Sequence, residues 1–319
     1  MSWEILEVLS PGLQSSIQDQ GRTGLTHLGI SPGGAADPVA LRFANEIVGN
    51  PAKLAGIEMA LAGGTFRVLD DALVAATGAE ARVTLDGIAM AMWTSFRVQK
   101  GQRISVGNLS SGARVYLAIS GGIDVPEVLG SRSTFLGSSG GRGWGGHEGR
   151  ALREGDVLSR GTEALSSASF RRAISSVRGL YKNVSEIRIT RAPQTQWFSP
   201  DEFSKLLSNE LEVGVESNRR GIRLQGVALE KRESRELVTE GVAAGAIQVA
   251  SGGQPMILFC EQQTTGGYPK IANVIRADLF LLGQLRPGAK VRFREVSLEE
   301  AWRINSEREE LWQMAVQAI

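Results

Sequence analysis

Three polar stretches of the sequence combine charged or amide side chains with glycines, which let a backbone come close to a ligand. The first covers residues 18–22, where Asp19 and Arg22 stand three residues apart on either side of Gly21. An acid and a base at this spacing could bind a carboxylate or an amide, or could simply hold a turn together. We treat Asp19 and Arg22 as candidate catalytic residues.

The second stretch, residues 217–223, contains two arginines that could act together. In an extended segment, side chains alternate between two faces, so Arg219 and Arg223 would lie on the same face. Two neighbouring guanidinium groups repel each other unless they share an anion, and each can hold a carboxylate or a phosphate through paired hydrogen bonds. The pattern therefore predicts that Arg219 and Arg223 bind one substrate carboxylate or phosphate. Ordinary turn chemistry is the alternative.

The third stretch, residues 261–270, offers several groups that stabilise a developing oxyanion. Gln263 and Thr264 supply amide and hydroxyl hydrogen bonds, whereas Tyr268 and Lys270 supply a phenol and an ammonium group. We expect the segment to face the same cleft as the first stretch. The alternative is a hairpin turn in which the tyrosine ring covers the edge of a core.

The remaining composition excludes several classes of function. The chain has 35 Lys and Arg against 34 Asp and Glu, so it has no broad basic field for nucleic acid or an anionic membrane. His27 and His147 are the only histidines and Cys260 is the only cysteine, which predicts no metal site, no serine–histidine triad and no intrachain disulfide. No signal peptide or long apolar run is evident, so a cytoplasmic location is expected.

The elements that must position these residues are mostly short strands. Apolar runs bounded by Gly, Asp and Ser predict strands at 4–9, 65–69, 73–77, 81–85, 94–98, 103–106, 114–119, 186–190, 211–215, 246–250, 255–259 and 290–295. So many strands would strain a single sheet, so we expect an N-terminal β domain over 1–183 and a C-terminal one over 184–319. A Ser-rich basic connector over 161–183 would join them.

Helices are few but carry clear start signals. Asp37 before Pro38 predicts a helix over 38–48, and Ser199 begins a capping box for a short helix. Another capping box at Ser297 predicts a final helix that runs to the C-terminus. Its expected apolar face consists of Leu298, Ala301, Trp302, Ile304, Leu311, Trp312 and Ala315.

A glycine-rich loop occupies residues 137–149, with seven glycines in thirteen positions. Its backbone N–H groups could cradle a phosphate, with Arg142 or Arg150 adding charge, although it lacks the Lys-Ser/Thr ending of a P-loop. A surface lid without a ligand is the competing interpretation.

The motifs, taken in order, resemble the KipA family, also called allophanate hydrolase subunit 2 or the biotin-dependent carboxyltransferase subdomain A/B family, which includes the C subunit of 5-oxoprolinase. The resemblance extends from about Leu6 to Phe293. It rests on Ile17-Gln18-Asp19 with Gly21-Arg22, Ala44-Asn45, Glu58, Gly130-Ser131-Arg132-Ser133-Thr134, Gly155-Asp156, Ser217-x-Arg219-x-Gly221-x-Arg223-Leu224, Gly245-Ala246-Ile247-Gln248, Gly253-Gln254-Pro255 and Gln263-Thr264-Thr265-Gly266-Gly267-Tyr268-Pro269.

This resemblance implies a mainly β protein with two cyclophilin-like β-barrel domains, few short helices and a C-terminal helix. It also implies that the polar motif residues take part in substrate or phosphate binding. Those residues are Asn45, Glu58, Arg132, Thr134, Ser217, Arg219, Arg223, Gln248, Gln254 and Thr264.

Three functions are compatible with the resemblance. The first is the C subunit of an ATP-dependent 5-oxoprolinase, which opens 5-oxo-L-proline to L-glutamate with a KipI-like B subunit and a LamB/YcsF-type A subunit, the ATP site being shared with a partner. The second is the carboxyltransferase part of a biotin-dependent urea or amide carboxylase, in which biotin carries CO₂ to an amide nitrogen. The third is a non-enzymatic KipA-like regulator that binds a KipI-like kinase inhibitor.

Overall fold

The computed structural model describes residues 3–137, 143–161, 169–182, 184–232 and 236–319. The chain forms two compact units: unit 1 comprises Met1–Arg22, Gly33–Lys182 and Gln313–Ile319, and unit 2 comprises Thr23–Pro32 and Asn183–Trp312. The expected boundary lies after residue 183; residues 23–32 precede it but belong to unit 2, and residues 313–319 follow it but belong to unit 1. Among the described residues, no helix is both long and apolar enough to span a membrane.

Strands dominate both units, which confirms the expected mainly β fold. The strands up to residue 182 are β1 (Trp3–Ser10), β2 (Gln14–Gln18), β3 (Gly56–Ala60), β4 (Thr65–Val68), β5 (Ala72–Gly78), β6 (Ala81–Leu85), β7 (Ile88–Met90), β8 (Phe96–Val98), β9 (Arg103–Leu109), β10 (Arg114–Ile119), β11 (Ile123–Asp124), β12 (Val157–Arg160) and β13 (Arg171–Ala173). The later strands are β14 (Glu186–Arg191), β15 (Leu211–Val213), β16 (Gly221–Gln225), β17 (Glu240–Gly241), β18 (Ala246–Val249), β19 (Pro255–Leu258), β20 (Thr265–Gly266), β21 (Lys270–Val274), β22 (Lys290–Glu295) and β23 (Val316–Ala318).

Unit 1 contains two sheets that share one hydrophobic core. Their strand orders are β11-β12-β1-β4-β9-β6-β7 and β2-β3-β10-β5-β8. Leu6 and Phe66 enter the core from the first sheet, and Ile57 and Leu117 enter it from the second. The described strands of unit 1 thus form two sheets around a common core.

The chain passes from one sheet of unit 1 to the other at a tight corner. Gly12 lies between β1 and β2 with a φ of +68°, and a Cβ there would stand 2.4 Å from the carbonyl oxygen of Gly63. Only glycine accepts both this dihedral angle and this close approach without strain. The corner sends the consecutive strands β1 and β2 into different sheets.

The helices are α1 (Pro38–Ile47), α2 (Ser175–Gly179), α3 (Pro200–Ser208), α4 (Leu279–Leu282) and α5 (Leu298–Gln313). The predicted N-caps form: Asp37 accepts a hydrogen bond from the Ala40 amide at 2.9 Å, and Ser199 accepts one from the Glu202 amide at 3.2 Å. Within the predicted connector, β13 and α2 belong to unit 1, whereas residues 162–168 and 183 lie outside the described part of the chain.

The last helix corrects two expectations. It ends at Gln313, and the following residues form β23, which pairs with β13. The helix does not reach the C-terminus because residues 316–318 satisfy their backbone groups in this ladder instead. Of its expected apolar face, Ile304 and Trp312 are buried as predicted, whereas Leu298 and Trp302 are exposed.

Unit 2 is built around a closed barrel with the strand order β14-β21-β18-β19-β16-β15-β22. Alternation along the strands fills its interior: in β22, Val291 and Phe293 are buried, whereas Lys290 and Arg292 are exposed. In β16, Ile222 and Leu224 are buried, so Arg223 between them faces outward. A small ladder of β17 with β20 lies in the same unit.

Candidate functional site

The registers of the unit 2 barrel align four side chains in one row across its wall. Met256 on β19 pairs with Arg223 on β16 and with Gln248 on β18, and Gln248 pairs in turn with Lys270 on β21. Residues directly opposite each other on neighbouring strands share a face of the sheet. Pairing thus brings together three predicted site residues that the sequence separates, and adds Met256, which no motif pointed to.

A cavity of about 210 Å³ lies along this row. The strand residues Arg223, Gln248, Pro255 and Met256 line it together with Ala250, Gly252, Gln254 and Tyr268. Four predicted site residues are therefore at one cavity: Arg223, Gln248, Gln254 and Tyr268. A larger cavity of about 640 Å³ shares Ala250, Gly252 and Tyr268 with it, so the half-exposed ring of Tyr268 stands at the boundary of the two.

The Gln263–Tyr268 segment is held against Gln248 by amide hydrogen bonds. The Gln263 Nε2 donates to the Gln248 Oε1 at 3.3 Å, and the Gln248 Nε2 donates to the Tyr268 carbonyl oxygen at 3.4 Å. A Cβ on Gly266 would stand 2.7 Å from the Gln248 Nε2, so a larger residue there would displace the Gln248 amide. Thr264 accepts the Val242 amide at 3.0 Å through its carbonyl oxygen, which anchors the segment's start.

Lys270 is buried and its ammonium group is not part of the cavity lining. It forms an ion pair with Glu240 on β17, and the Gln194 Nε2 donates to the same carboxylate at 2.9 Å. The hydrogen bond from Lys270 holds the pKa of Glu240 below its usual range. Lys270 therefore ties β17 to the barrel, and its predicted donation to an oxyanion stays a prediction. Glu240 was missed because no motif surrounds it.

Among the residues that the structure describes, the two arginines of the second stretch pair with different carboxylates. Arg219 is buried and forms an ion pair with Glu261, whereas Arg223 is exposed and lies 3.5 Å from Glu216. The expected alternation fails because β16 begins only at Gly221, and Arg219 lies in the preceding bend. Ser217 has a local role, since its Oγ accepts the Arg223 amide at 3.1 Å.

Asp19 is the centre of a hydrogen-bonded clasp in unit 1. Its carboxylate accepts hydrogen bonds from the Gly21 amide at 2.8 Å, the Ser131 Oγ at 2.6 Å and the Arg132 amide at 2.6 Å, and also from the Ser133 Oγ. The clasp fastens the turn after β2 to residues 131–133. These four hydrogen bonds give the Asp19 carboxylate a structural role. Its catalytic role stays a prediction.

The remaining unit 1 motif residues surround this clasp. Arg22 donates from Nη2 to the Ser133 carbonyl oxygen at 2.6 Å, and its guanidinium lies 4.1 Å from the Trp144 ring centroid. Thr134 donates from Oγ1 to the Ile17 carbonyl oxygen at 3.0 Å. The Arg132 side chain pairs with Glu127 and, at 3.4 Å, with Asp124. These residues lie in a different unit from the cavity, and the expected common cleft stays a prediction.

Asn45 and Glu58 belong to buried polar networks of unit 1. Asn45 donates to the Leu54 carbonyl oxygen at 2.7 Å and accepts from Asn50 at 2.9 Å. Glu58 accepts from the Tyr116 hydroxyl at 2.7 Å, and burial followed by the nearby Glu58 charge raises the pKa of that phenol well above its usual value. Both networks are buried in unit 1, where hydrogen bonds satisfy the polar groups of Asn45 and Glu58. Both residues therefore have a structural role.

In the described part of the glycine-rich loop, two glycines pack closely against residues 133 and 134. A Cβ on Gly145 would stand 2.4 Å from the Ser133 carbonyl oxygen, and one on Gly146 would stand 1.8 Å from the Thr134 Oγ1. Arg150 is engaged by Asp156 through two hydrogen bonds of 2.7 and 2.8 Å. These contacts give Gly145, Gly146 and Arg150 structural roles, and the phosphate cradle stays a prediction; Arg142 and residues 138–141 lie outside the described residues. In the described ranges no group of three or more His, Cys, Asp and Glu could hold a metal ion.

Comparison with known proteins places this geometry in a family. Residues 28–295 match the carboxyltransferase domain, subdomain A and B. The C subunit of 5-oxoprolinase from Escherichia coli strain K12 is 37% identical over 309 residues, which cover 96% of each chain. The urea amidolyase of Saccharomyces cerevisiae is 34% identical over 321 residues, covering 93% of this chain and 17% of that protein.

A solved structure agrees with the sequence comparison. The crystal structure of the K. lactis urea amidolyase aligns with 98% of this chain and 20% of its own, with a TM-score of 0.88 and 31% identity. The resemblance carried by the motifs is confirmed, and the chain belongs to the family of carboxyltransferase domains, subdomains A and B.

Proposed function

We propose that this protein is the C subunit of an ATP-dependent 5-oxoprolinase, which opens 5-oxo-L-proline to L-glutamate. The observation that carries the proposal is the match to the C subunit of E. coli 5-oxoprolinase over 96% of both chains. The urea amidolyase of S. cerevisiae is matched over only 17% of its length, so most of that protein has no counterpart in the alignment.

The unit 2 cavity supports this proposal chemically. Opening a lactam requires stabilising negative charge on the amide oxygen, and hydrogen-bond donors held in place before the reaction do this best. Tyr268 and the amides of Gln248 and Gln254 bring such donors to a cavity of about 210 Å³. That volume equals about seven water molecules at ~30 Å³ each, which suits a small ring rather than a nucleotide.

ATP hydrolysis would supply the driving force, because the amide bond is resonance-stabilised. We assign ATP to a site that a partner protein provides or shares, since Gly145 and Gly146 of the 137–149 loop pack closely against Ser133 and Thr134. The partners in this proposal are a KipI-like B subunit and a LamB/YcsF-type A subunit.

A carboxyltransferase role in a biotin-dependent urea or amide carboxylase is the second candidate. The TM-score of 0.88 with the K. lactis urea amidolyase favours it. Both reactions hold a planar N–C=O group and stabilise an oxyanion, so the same cavity would serve either. Biotin is required only under this second candidate.

Reconstitution tests the proposal. The purified chain is mixed with the A and B subunits, and ATP-dependent release of glutamate from 5-oxoproline is measured. We expect turnover only when all three proteins are present, with omission of each one in turn as the control. Robust turnover by this chain alone, or biotin-dependent carboxylation of urea without lactam opening by the mixture, would contradict it.

A further inference from the structure

The cavity beside Tyr268 has one charged lining residue among those the structure describes. That residue is Arg223, and the other polar side chains in the lining are those of Gln248, Gln254 and Tyr268, which carry amides and a phenol. A guanidinium is never neutral at physiological pH and matches the two oxygens of a carboxylate in its geometry. The cavity therefore combines a site for an anion with groups that recognise an amide.

The present partner of Arg223 leaves its charge available to a ligand. Arg223 lies 3.5 Å from Glu216, and the two side chains are 56% and 75% exposed. Ion pairs this exposed contribute little free energy, because water screens them and two long side chains must be ordered. A carboxylate inside the cavity could replace Glu216 at low cost. Arg219 cannot serve in the same way, since its guanidinium is committed to the buried Glu261.

The strand register sets the spacing between the anion site and the amide site. Arg223 and Gln248 lie on either side of Met256 in the same row, so they are two strands apart. Two interstrand spacings amount to about 10 Å between their backbones. The partly buried Met256 forms an apolar floor between them. A compact ring could lie on this floor with a carboxylate at one side and an amide at the other.

We propose that the cavity binds a small amide that also bears a carboxylate, and that Arg223 is the residue that selects it over neutral amides. The choice of 5-oxoproline as the ligand rests on the proposed function, whereas the requirement for a carboxylate rests on the cavity alone. Arg223 holds the carboxylate, and Gln248, Gln254 and Tyr268 face the amide.

Direct binding to the purified full chain tests the inference, using calorimetry or ligand-observed NMR. The probes are 5-oxoproline, 2-pyrrolidinone, which is the same lactam without its carboxylate, and urea. Losing a charge-assisted hydrogen-bond pair weakens binding by about tenfold to a hundredfold. We expect 5-oxoproline to bind the wild-type chain at least about tenfold more tightly than 2-pyrrolidinone or urea.

Three variants locate the effect. Arg223→Gln should bind 5-oxoproline and 2-pyrrolidinone equally, and Arg223→Lys should retain part of the preference because it keeps the charge but not the paired geometry. Arg220→Gln is the matched control, since Arg220 is an exposed neighbouring arginine outside the cavity lining, and it should keep the full preference. An unchanged melting temperature would show that each variant is folded.

The inference is overturned by equal binding of the charged and neutral lactams, by a preference that survives Arg223→Gln, or by no binding of 5-oxoproline to the wild-type chain. None of these results depends on the partner proteins. A reconstituted complex that still turns over 5-oxoproline would then keep the proposed function and place the carboxylate site elsewhere. If the chain shows the expected binding pattern but the reconstituted complex is inactive, the carboxylate site is kept and the proposed function is overturned.

Discussion

Replacing Asp19 by asparagine changes one oxygen of a carboxylate into an NH₂ group at a site where only acceptors fit. In the native turn, one carboxylate oxygen accepts from Gly21, Ser131 and Ser133, and the other accepts from the Arg132 amide. If the asparagine oxygen keeps the first three donors, its NH₂ group points at the Arg132 N–H. Two donors then face each other in a buried site.

The magnitude follows from these bonds. An unsatisfied buried donor costs about 1–3 kcal/mol, and a hydrogen bond to a charged group is worth about 1 kcal/mol more than a neutral one. We therefore expect Asp19→Asn to lower the free energy of unfolding by about 3 kcal/mol. For a domain of 150–250 residues, each kcal/mol shifts the melting temperature by about 2–4 °C, which gives a fall of about 6–12 °C.

Thermal unfolding followed by circular dichroism at pH 7 measures this fall. Asp124→Asn is the matched control, because Asp124 meets the Arg132 side chain only at 3.4 Å and both are partly exposed. Such a pair contributes about 0–1 kcal/mol, so the control should melt within about 4 °C of the wild type. The reasoning is refuted if Asp19→Asn has the same melting temperature as the control while the reconstituted complex loses turnover. The clasp would then not be structural, and Asp19 would act in catalysis.

Three further changes have distinct expected outcomes. Tyr268→Phe removes a hydroxyl at the cavity and should reduce turnover of the reconstituted complex by about tenfold or more at an unchanged melting temperature. Normal turnover with a lower melting temperature would show that the Gln263–Tyr268 segment is a structural turn. Arg219→Ala leaves the buried Glu261 charge without its partner and should destabilise the chain by about 3–5 kcal/mol in urea unfolding, so an unfolding midpoint equal to that of the wild type would contradict the buried ion pair. Burial disfavours ionisation of Asp156, but hydrogen bonds from Arg150 and the Arg153 amide outweigh it and lower the pKa of its carboxyl from 3.8 to about 2. Its stabilising contribution is therefore complete above about pH 5 and is lost as the pH falls from about 4 through 2. Asp156→Asn should reduce the fall in the free energy of unfolding that is measured over that range. An unchanged pH profile would refute this assignment.

Local signals in the sequence predicted much of the scaffold. The apolar runs at 73–77, 114–119 and 290–295 became β5, β10 and β22, and the caps at Asp37 and Ser199 start α1 and α3 where expected. These features depend on side-chain alternation and on hydrogen bonds between near neighbours, both of which can be inferred from the sequence.

Other strands escaped prediction because their residues are polar. β2, with the sequence Gln-Ser-Ser-Ile-Gln, lies against β3 with Ser15 and Ser16 fully or almost fully buried. Such segments become strands because partners elsewhere in the chain satisfy their backbone and hydroxyl groups. The C-terminal β23 is a similar case, since only pairing with β13 stops the helix before it.

The sequence by itself determined the family, the mainly β class and the identity of most polar residues at the cavity. The tertiary structure decided how these residues are used. Strand register places Arg223, Gln248 and Lys270 in one row although 22 or more positions separate them, and burial commits Arg219 to Glu261 and Lys270 to Glu240. The physical reason is that register and ion pairing depend on contacts between distant segments, which local residue patterns do not specify.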